Sequence, residues 1–307
     1  MTTVKNIKPV LVTLLLVIFI NQIHAQIYIY NKNSLEKFKD GNTHVIVNDL
    51  NFPGSSEYLA VFKQFWTITK GIDFVKASDL QDNLKAGDSY FGLETVSVSG
   101  SMGGADVYTM LRLWLPTEKA LAKKRKFTTD DENHIAQIYL STDKKTYDIT
   151  DFDGDGHIFN WNPGILKSYL KQLSTLLLSG KTIDLTDKVT NNEQLALLKN
   201  QTLFCPDDNF HKMNAFNAAD GKETIHPDEI FQDYKFSYKI LSNKELEDKL
   251  LADSEPFYYL LFLRNSSAKM VGIVNSRTGE IIYCRYHKLL AFALNPGDLK
   301  EIYKEIK

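Results

Sequence analysis

Residues 257–286 read FYYLLFLR-NSSAK-MVGIVN-SRTG-EIIYCRY. Three short apolar runs, rich in Tyr, Val, Ile and Leu, are separated by turn residues. Runs of this length bounded by Asn, Ser and Gly predict strands, and the short spacers predict a three-strand antiparallel meander. Such a meander rules out an all-parallel sheet.

Working outward, Ser242 and Glu245 form a capping-box pattern ahead of the helical Glu245–Leu250 run. Before it come a strand at Tyr238–Leu241, a helix at Pro227–Tyr234 and a strand at Leu203–Cys205. The N-terminal half has the same order. His44–Asn48 predicts a buried strand. Ser56 is the expected cap of a helix whose Tyr58, Val61, Phe62 and Phe65 fall at helical spacing. Ile72–Val75 is the next strand, and Ser78 with Gln81 repeats the capping box ahead of Leu80 and Leu84. Residues 89–99 and 107–115 then form a hairpin across Gly100–Gly104. Asp79–Leu84 (DLQDNL) and Glu245–Leu250 (ELEDKL) match in character. The shared order predicts two copies of one α/β unit.

Each copy ends in a helix. Pro163 at a first position and Gly180 past the end bracket a helix at 163–179, with Ile165, Leu166, Tyr169, Leu170, Leu173, Leu176 and Leu177 as its apolar stripe. Its counterpart, Asp298–Ile306, turns Leu299, Ile302, Tyr303 and Ile306 inward. Gln26–Tyr30 alternates as an edge strand, 34–39 is a helical turn, and Asn192–Leu198 is a small helix. The expected fold class is α/β (α+β): two related halves, each a mixed, mainly antiparallel sheet with helices packed on it. The expected boundaries are a signal peptide at 1–25, a first unit at 26–180, a linker at 181–191 and a second unit at 192–307.

The leader rests on Lys5 and Lys8, the apolar run Pro9–Ile20, and Ile23-His24-Ala25 before Gln26. The apolar run is about a dozen residues, where a membrane span needs about twenty. Cleavage after Ala25 would send the chain to the periplasm or the medium, with no transmembrane segment remaining. A formal net charge of -2 gives none of the strongly basic face that nucleic acid requires. Cys205 and Cys284 fall in the first and last strands of the second unit. An exported chain can keep a disulfide, but strand neighbours rarely offer bridge geometry.

The run FYYLLFLR…VNSRTGEIIY, preceded by IHPDEIFQDYKFSYKILSNKELEDKLL, resembles a group of exported Bacteroidetes-type proteins with no assigned function. The likeness covers most of the mature chain and is strongest over Ile225–Tyr283. It implies a secreted or periplasmic location and carries no catalytic residues.

Asp151-Phe152-Asp153-Gly154-Asp155-Gly156-His157-Ile158 is the sharpest chemical motif. Oxygen ligands at alternate positions, with Gly at the sixth, resemble an EF-hand-type loop. That assigns calcium to the side chains of Asp151, Asp153 and Asp155 and the carbonyl of His157. The twelfth position is Asn162 rather than Glu, and no helix is expected before the loop. The alternative is an Asp/Gly-rich turn leading to the helix at Pro163. Lys119, Lys123, Lys124, Arg125 and Lys126, followed by Asp130, Asp131 and Glu132, read as a solvated charged insertion. His44, His134, His157, His211, His226 and His287 are scattered without zinc-type spacing. His226-Pro227-Asp228-Glu229 reads as a helix start. No nucleophile elbow or His-Glu-x-x-His helix is present. The leading functional expectation is a non-enzymatic exported protein that binds a ligand or serves as a structural envelope component. The alternative is an exported hydrolase with a site between the halves, lined for example by His226, Asp228 and Asp207.

Overall fold

The computed structural model describes residues 27–30, 34–99, 105–122, 128–142, 152, 158–180, 188–211, 224–252, 254–264, 268–288 and 293–307. The leader, the 100–104 loop, the basic residues 123–126 and the ligand candidates Asp151, Asp153, Asp155 and His157 lie outside these. In chain order the elements of the first half are β1 (Ile27–Ile29), β2 (Thr43–Val47), α1 (Ser55–Phe65), β3 (Ile72–Lys76), α2 (Leu80–Asn83), β4 (Ser89–Ser99), β5 (Ala105–Pro116), α3 (Glu118–Ala122), β6 (Glu132–Thr142), β7 (Ile158–Phe159) and α4 (Pro163–Ser179). The second half follows with β8 (Val189–Thr190), α5 (Asn192–Ala196), β9 (Leu203–Pro206), α6 (Pro227–Phe231), β10 (Tyr238–Leu241), α7 (Asn243–Ala252), β11 (Tyr258–Arg264), β12 (Ala268–Asn275), β13 (Ile281–Lys288) and α8 (Pro296–Ile306).

The strands build two mixed sheets, so the expected α/β class with two halves is what the chain adopts. The first runs β3-β2-β4-β5-β6-β1, with β7 added to β6; the second runs β10-β9-β11-β12-β13-β8. Pair by pair the directions agree. β2 is parallel to β3 and β4, as β9 is to β10 and β11; every other pair along both paths is antiparallel. The meander at 257–286 is β11-β12-β13. Val189–Thr190, in the stretch expected as linker, pairs with β13 as an edge strand.

Layering follows from which side chains alternate. In β11 and β12, Tyr259, Leu261, Leu263, Met270 and Val274 enter one apolar cluster, while Tyr258, Leu260, Phe262, Val271 and Ile273 enter another. The second sheet is therefore buried on both faces, which explains why its strands read as unbroken apolar runs. One face packs on α5, α6 and α8. The other shares a core with α7, α4, α1 and the inner face of the first sheet. Helix α4 lies between α1 and α7 and is buried along nearly its whole length. Asn162 caps it, accepting from Ile165 N at 2.8 Å, and Gly180 ends it at φ 62°. Gly164 lets α7 approach: a Cβ there would stand 2.9 Å from Leu250 Cβ.

Local expectations fared unevenly. The Ser242–Glu245 box forms, with Glu245 N donating to Ser242 Oγ at 3.2 Å and Ser242 N to Glu245 Oε2 at 2.7 Å. The Ser78–Gln81 box does not, because Ala77–Asp79 winds as a 3-10 turn and Ser78 donates to the Asp79 carboxylate instead. Helix α1 starts one residue before Ser56, behind a left-handed Gly54 at φ 76°. Cys205 and Cys284 are both free. They project to opposite faces of the second sheet, and burial pushes each thiol up to about 12.

Candidate functional site

The outer face of the first sheet is buried too, but largely by polar side chains: Arg112 is 7 % and Gln137 3 % exposed. Helix α2 covers its β4 end, where Leu80, Tyr90 and Trp114 form a small cluster. Across β4, β5, β6 and β1 the face instead carries Glu94, Arg112, Glu132, His134, Gln137, Tyr139 and Tyr30.

Register brings them together. Arg112 pairs across with Gly92 on one side and Gln137 on the other, and Met110 with Glu94 and Tyr139. Between Leu113 and Trp114 the β5–β6 register shifts, so that Leu113 faces Ala136 and Trp114 faces His134. Ile135 is the extra residue. Ile135 and Ala136 both enter the core in succession, and the bulge turns His134 and Glu132 to the outer face beside Arg112. Re-aiming side chains in this way is the common role of a bulge near a functional site.

Arg112 sits at the centre, 7 % exposed. Its Nη1 contacts Glu94 Oε2, lies 3.3 Å from His134 Nε2 and 4.0 Å from Glu132 Oε2. His134 Nε2 lies 2.9 Å from Glu132 Oε2. Nη2 donates only to Met110 Sδ, at 3.0 Å, and the Nε–H has no hydrogen-bond partner. The guanidinium thus has fewer oxygen acceptors than its five donors could use.

Burial pushes the Glu94 carboxyl up to about 7, and the neighbouring Glu132 adds to the rise while Arg112 opposes it. Burial also pushes Glu132 up to about 7, against its hydrogen bond with Glu94 and the attraction of Arg112. The two carboxyls are coupled, and the pair takes up a proton near neutral pH. Burial and Arg112 both lower His134, which favours the neutral imidazole. Near neutral pH the charge left on the carboxyl pair offsets that of Arg112. Such a pair can hold or release a proton, accept hydrogen bonds and donate one.

Tyr30 Oη donates to Gln137 Oε1, and Gln137 Nε2 to Tyr139 Oη. Tyr28 meets Tyr30 edge-on at 4.8 Å, and Tyr139 meets Tyr108 at 5.9 Å between centroids. Burial raises the Tyr30 and Tyr139 phenols, which stay neutral.

The residues singled out from sequence sit elsewhere. His226 caps α6 on its own Asp228 N and pairs with the Asp228 carboxylate at 3.5 Å, both side chains exposed. Asp207 opens a 3-10 turn after β9, and its neighbour Asp208 accepts from Asn160 N at 3.1 Å. Burial raises Asp208. Among the described residues the ion-pair partner of His226 is Asp228, and neither Asp207 nor Asp208 hydrogen-bonds to it. Where the halves meet, contacts are close: Arg264 N donates to Ser141 Oγ at 2.7 Å, Asn160 Nδ2 to Phe262 O at 2.8 Å and Lys167 Nζ to Leu250 O at 2.8 Å. His44 is clamped between Asp73 (2.6 Å) and Asp88 (3.1 Å), tying three strand ends together. Glu132, expected in a solvated charged block, is instead the buried first residue of β6.

Strand β6 itself, with Gln137 and Tyr139, had no sequence expectation, although Ala136–Leu140 alternates clearly; His134 was read only as one of the scattered histidines. Among the described residues no group of three or more His, Cys, Asp or Glu could hold a metal. No described helix is long and apolar enough to cross a membrane. No family model matches the chain, and neither a curated protein nor a solved structure matches it significantly.

Proposed function

We infer that this is an exported, non-enzymatic binding protein of the cell envelope, working through the outer face of its first sheet. The observation that carries this reading is the charge-balanced set of Glu94, Glu132, Arg112 and His134. It stands on a sheet face that no described helix covers beyond α2, next to a row of tyrosines. Polar groups are expensive to cluster under partial burial; a bound ligand would supply the missing acceptors at Arg112. Export rests on the leader pattern and on the resemblance over Ile225–Tyr283. The two halves, on this reading, are copies of one unit, supported by their common strand order. Calcium, held by Asp151, Asp153 and Asp155 and the His157 carbonyl, is a further proposal supported by ligand spacing alone.

The experiment mixes purified residues 26–307 with isolated cell envelopes of the producing organism and pellets them. Wild type should sediment with the envelopes. Tyr30→Ala, at a side chain 44 % exposed, should reduce the bound fraction several-fold, and Lys300→Ala, in α8 on the far side of the second sheet, should not. Equal sedimentation of both variants with wild type would overturn this placing of the site.

A second reading is favoured by one observation. A carboxyl pair holding a shared proton near pH 7 is equipped for general acid–base work. An exported hydrolase would then act at Glu94 and Glu132 rather than between the halves. Hydrolysis of an envelope polymer that survives in Lys300→Ala but vanishes in Glu94→Gln and Glu132→Gln would establish it.

A further inference from the structure

We propose that the outer face of the first sheet takes a neutral, hydroxyl-rich ligand, a short glycan segment lying across β6 and β5 with its sugar rings against Tyr28, Tyr30, Tyr139 and Tyr108. The proposal rests on the binding role assigned above and names its ligand class.

Shape comes first. Tyr28, Gln137 and Arg112 stand side by side in register on β1, β6 and β5, and Met110 pairs with Tyr139 one step along. The two tyrosine contacts, Tyr28–Tyr30 and Tyr108–Tyr139, flank Gln137 and Arg112. The platform spans two strand spacings, about 10 Å. A sugar ring is amphipathic: its C–H face lies on an aromatic ring, whose face is electron-rich, while its hydroxyls project from the edge. Tyrosine suits both parts because its phenol can join the hydroxyl network.

Charge decides between ligand classes. A polyanion would meet the Glu94–Glu132 pair, and a cation would meet Arg112. A hydroxyl needs neither sign; it needs a donor and an acceptor close together. Arg112 offers donors short of oxygen partners, and Glu94 and Glu132 offer acceptor oxygens within 4.0 Å of its Nη1.

The matching face of the second sheet provides the internal contrast. There the corresponding strands carry Tyr259, Leu261, Met270 and Val274, covered by α7 and α4. The same frame thus presents an apolar surface where protein packs on it and a tyrosine-and-polar surface where none of the described helices does. A helical partner would favour the former composition.

The test is isothermal titration of residues 26–307 with maltohexaose, xylohexaose and N-acetylchitohexaose as neutral probes, and with hexagalacturonate and hexalysine as charged ones. At least one neutral probe should bind. Its Kd should rise about three- to tenfold in Tyr30→Ala, the loss of one stacked ring, and stay near wild type in Lys300→Ala; circular dichroism confirms that each variant folds. Binding of a charged probe alone, or no probe binding while envelope sedimentation still depends on Tyr30, would overturn the ligand class and leave the binding role standing. Loss of both would overturn the two together.

Discussion

Replacing Glu94 by Gln isolates the proton shared beneath the tyrosines. In the folded chain Glu94 takes up its proton near pH 7; its ordinary value is 4.5. A raised carboxyl binds the proton more tightly in the fold than in the unfolded chain. Its stabilising contribution is therefore complete below about pH 4.5 and is lost as pH rises through about 7. Between pH 5 and 8 that amounts to about 2–3 kcal/mol. The amide of Glu94→Gln cannot titrate, so the variant escapes this loss. Glu132 and His134 are coupled to Glu94 and shift in the variant, so their titration offsets part of this difference and about 2–3 kcal/mol is its upper bound. Urea denaturation at pH 5 and pH 8, for wild type and Glu94→Gln, gives the four stabilities required. The variant should gain stability relative to wild type on going from pH 5 to pH 8, by up to about 2–3 kcal/mol. A difference that is the same at both pH values, or that moves the other way, would refute the shared-proton account of Glu94 and Glu132.

Four other outcomes follow from the packing and the sequence. Gly279 sits at φ 73°, and a Cβ there would lie 2.3 Å from Ser168 O; Gly279→Ala should cost about 2–4 kcal/mol in urea, and a cost below about 1 would mean that the β12–β13 turn can withdraw from α4. Lys269 Nζ is buried against Asp298 Oδ2 at 2.6 Å, so Lys269→Met should cost about 3–5 kcal/mol, with part recovered in Lys269→Met/Asp298→Asn; no recovery would contradict the ion pair. Both cysteines should ignore an aromatic disulfide reagent in the native protein and both react in denaturant; fewer than two reactive thiols there would reveal a bridge. If the 151–157 loop binds calcium, the ion should raise Tm relative to chelator in wild type but not in Asp153→Asn, and coincident wild-type melts would end that proposal.

How far the sequence discloses this protein depends on whether burial is one-sided. Two parts are legible: β11 and β12 of the second half are covered on both faces, so they appear as plain apolar runs, and α4 of the first half announces itself through Pro163, its leucine stripe and Gly180. Strand β6 hides for a physical reason. The bulge at Ile135 places two consecutive residues in the core, which breaks the two-residue period where Glu132 and His134 would have shown it. Those residues also follow Asp130 and Asp131, and a run of acids resembles a solvated loop. The candidate site is assembled from positions 94, 112, 132 and 134 on three strands, none of them adjacent in sequence. Charge spacing along the chain therefore carries no trace of it, whereas the Asp-rich loop at 151–157 is conspicuous because its ligands would be local.

The common connectivity of the halves gives this polar face its meaning. In each half the helix after the first central strand and the trailing helix share one side of the sheet: α1 and α4 in the first, α6 and α8 in the second. The second connecting helix, α2 or α7, lies on the other side. The second half turns its α7 side onto α4 of the first, as the Gly164–Leu250 approach and the Lys167–Leu250 hydrogen bond record. This is a head-to-tail contact, in which unlike faces meet, and such a contact leaves one face of each kind unmatched at the ends. The unmatched α2 side of the first sheet could have been apolar, like its counterpart, and would then have invited a further protein layer. It carries Glu94 and Arg112 instead, at a desolvation cost large enough to lift two carboxyls to about 7. A face that needed only solubility would have placed such groups in water, where they cost nothing; holding them buried beside tyrosines is what the proposed binding of a ligand smaller than a protein would require.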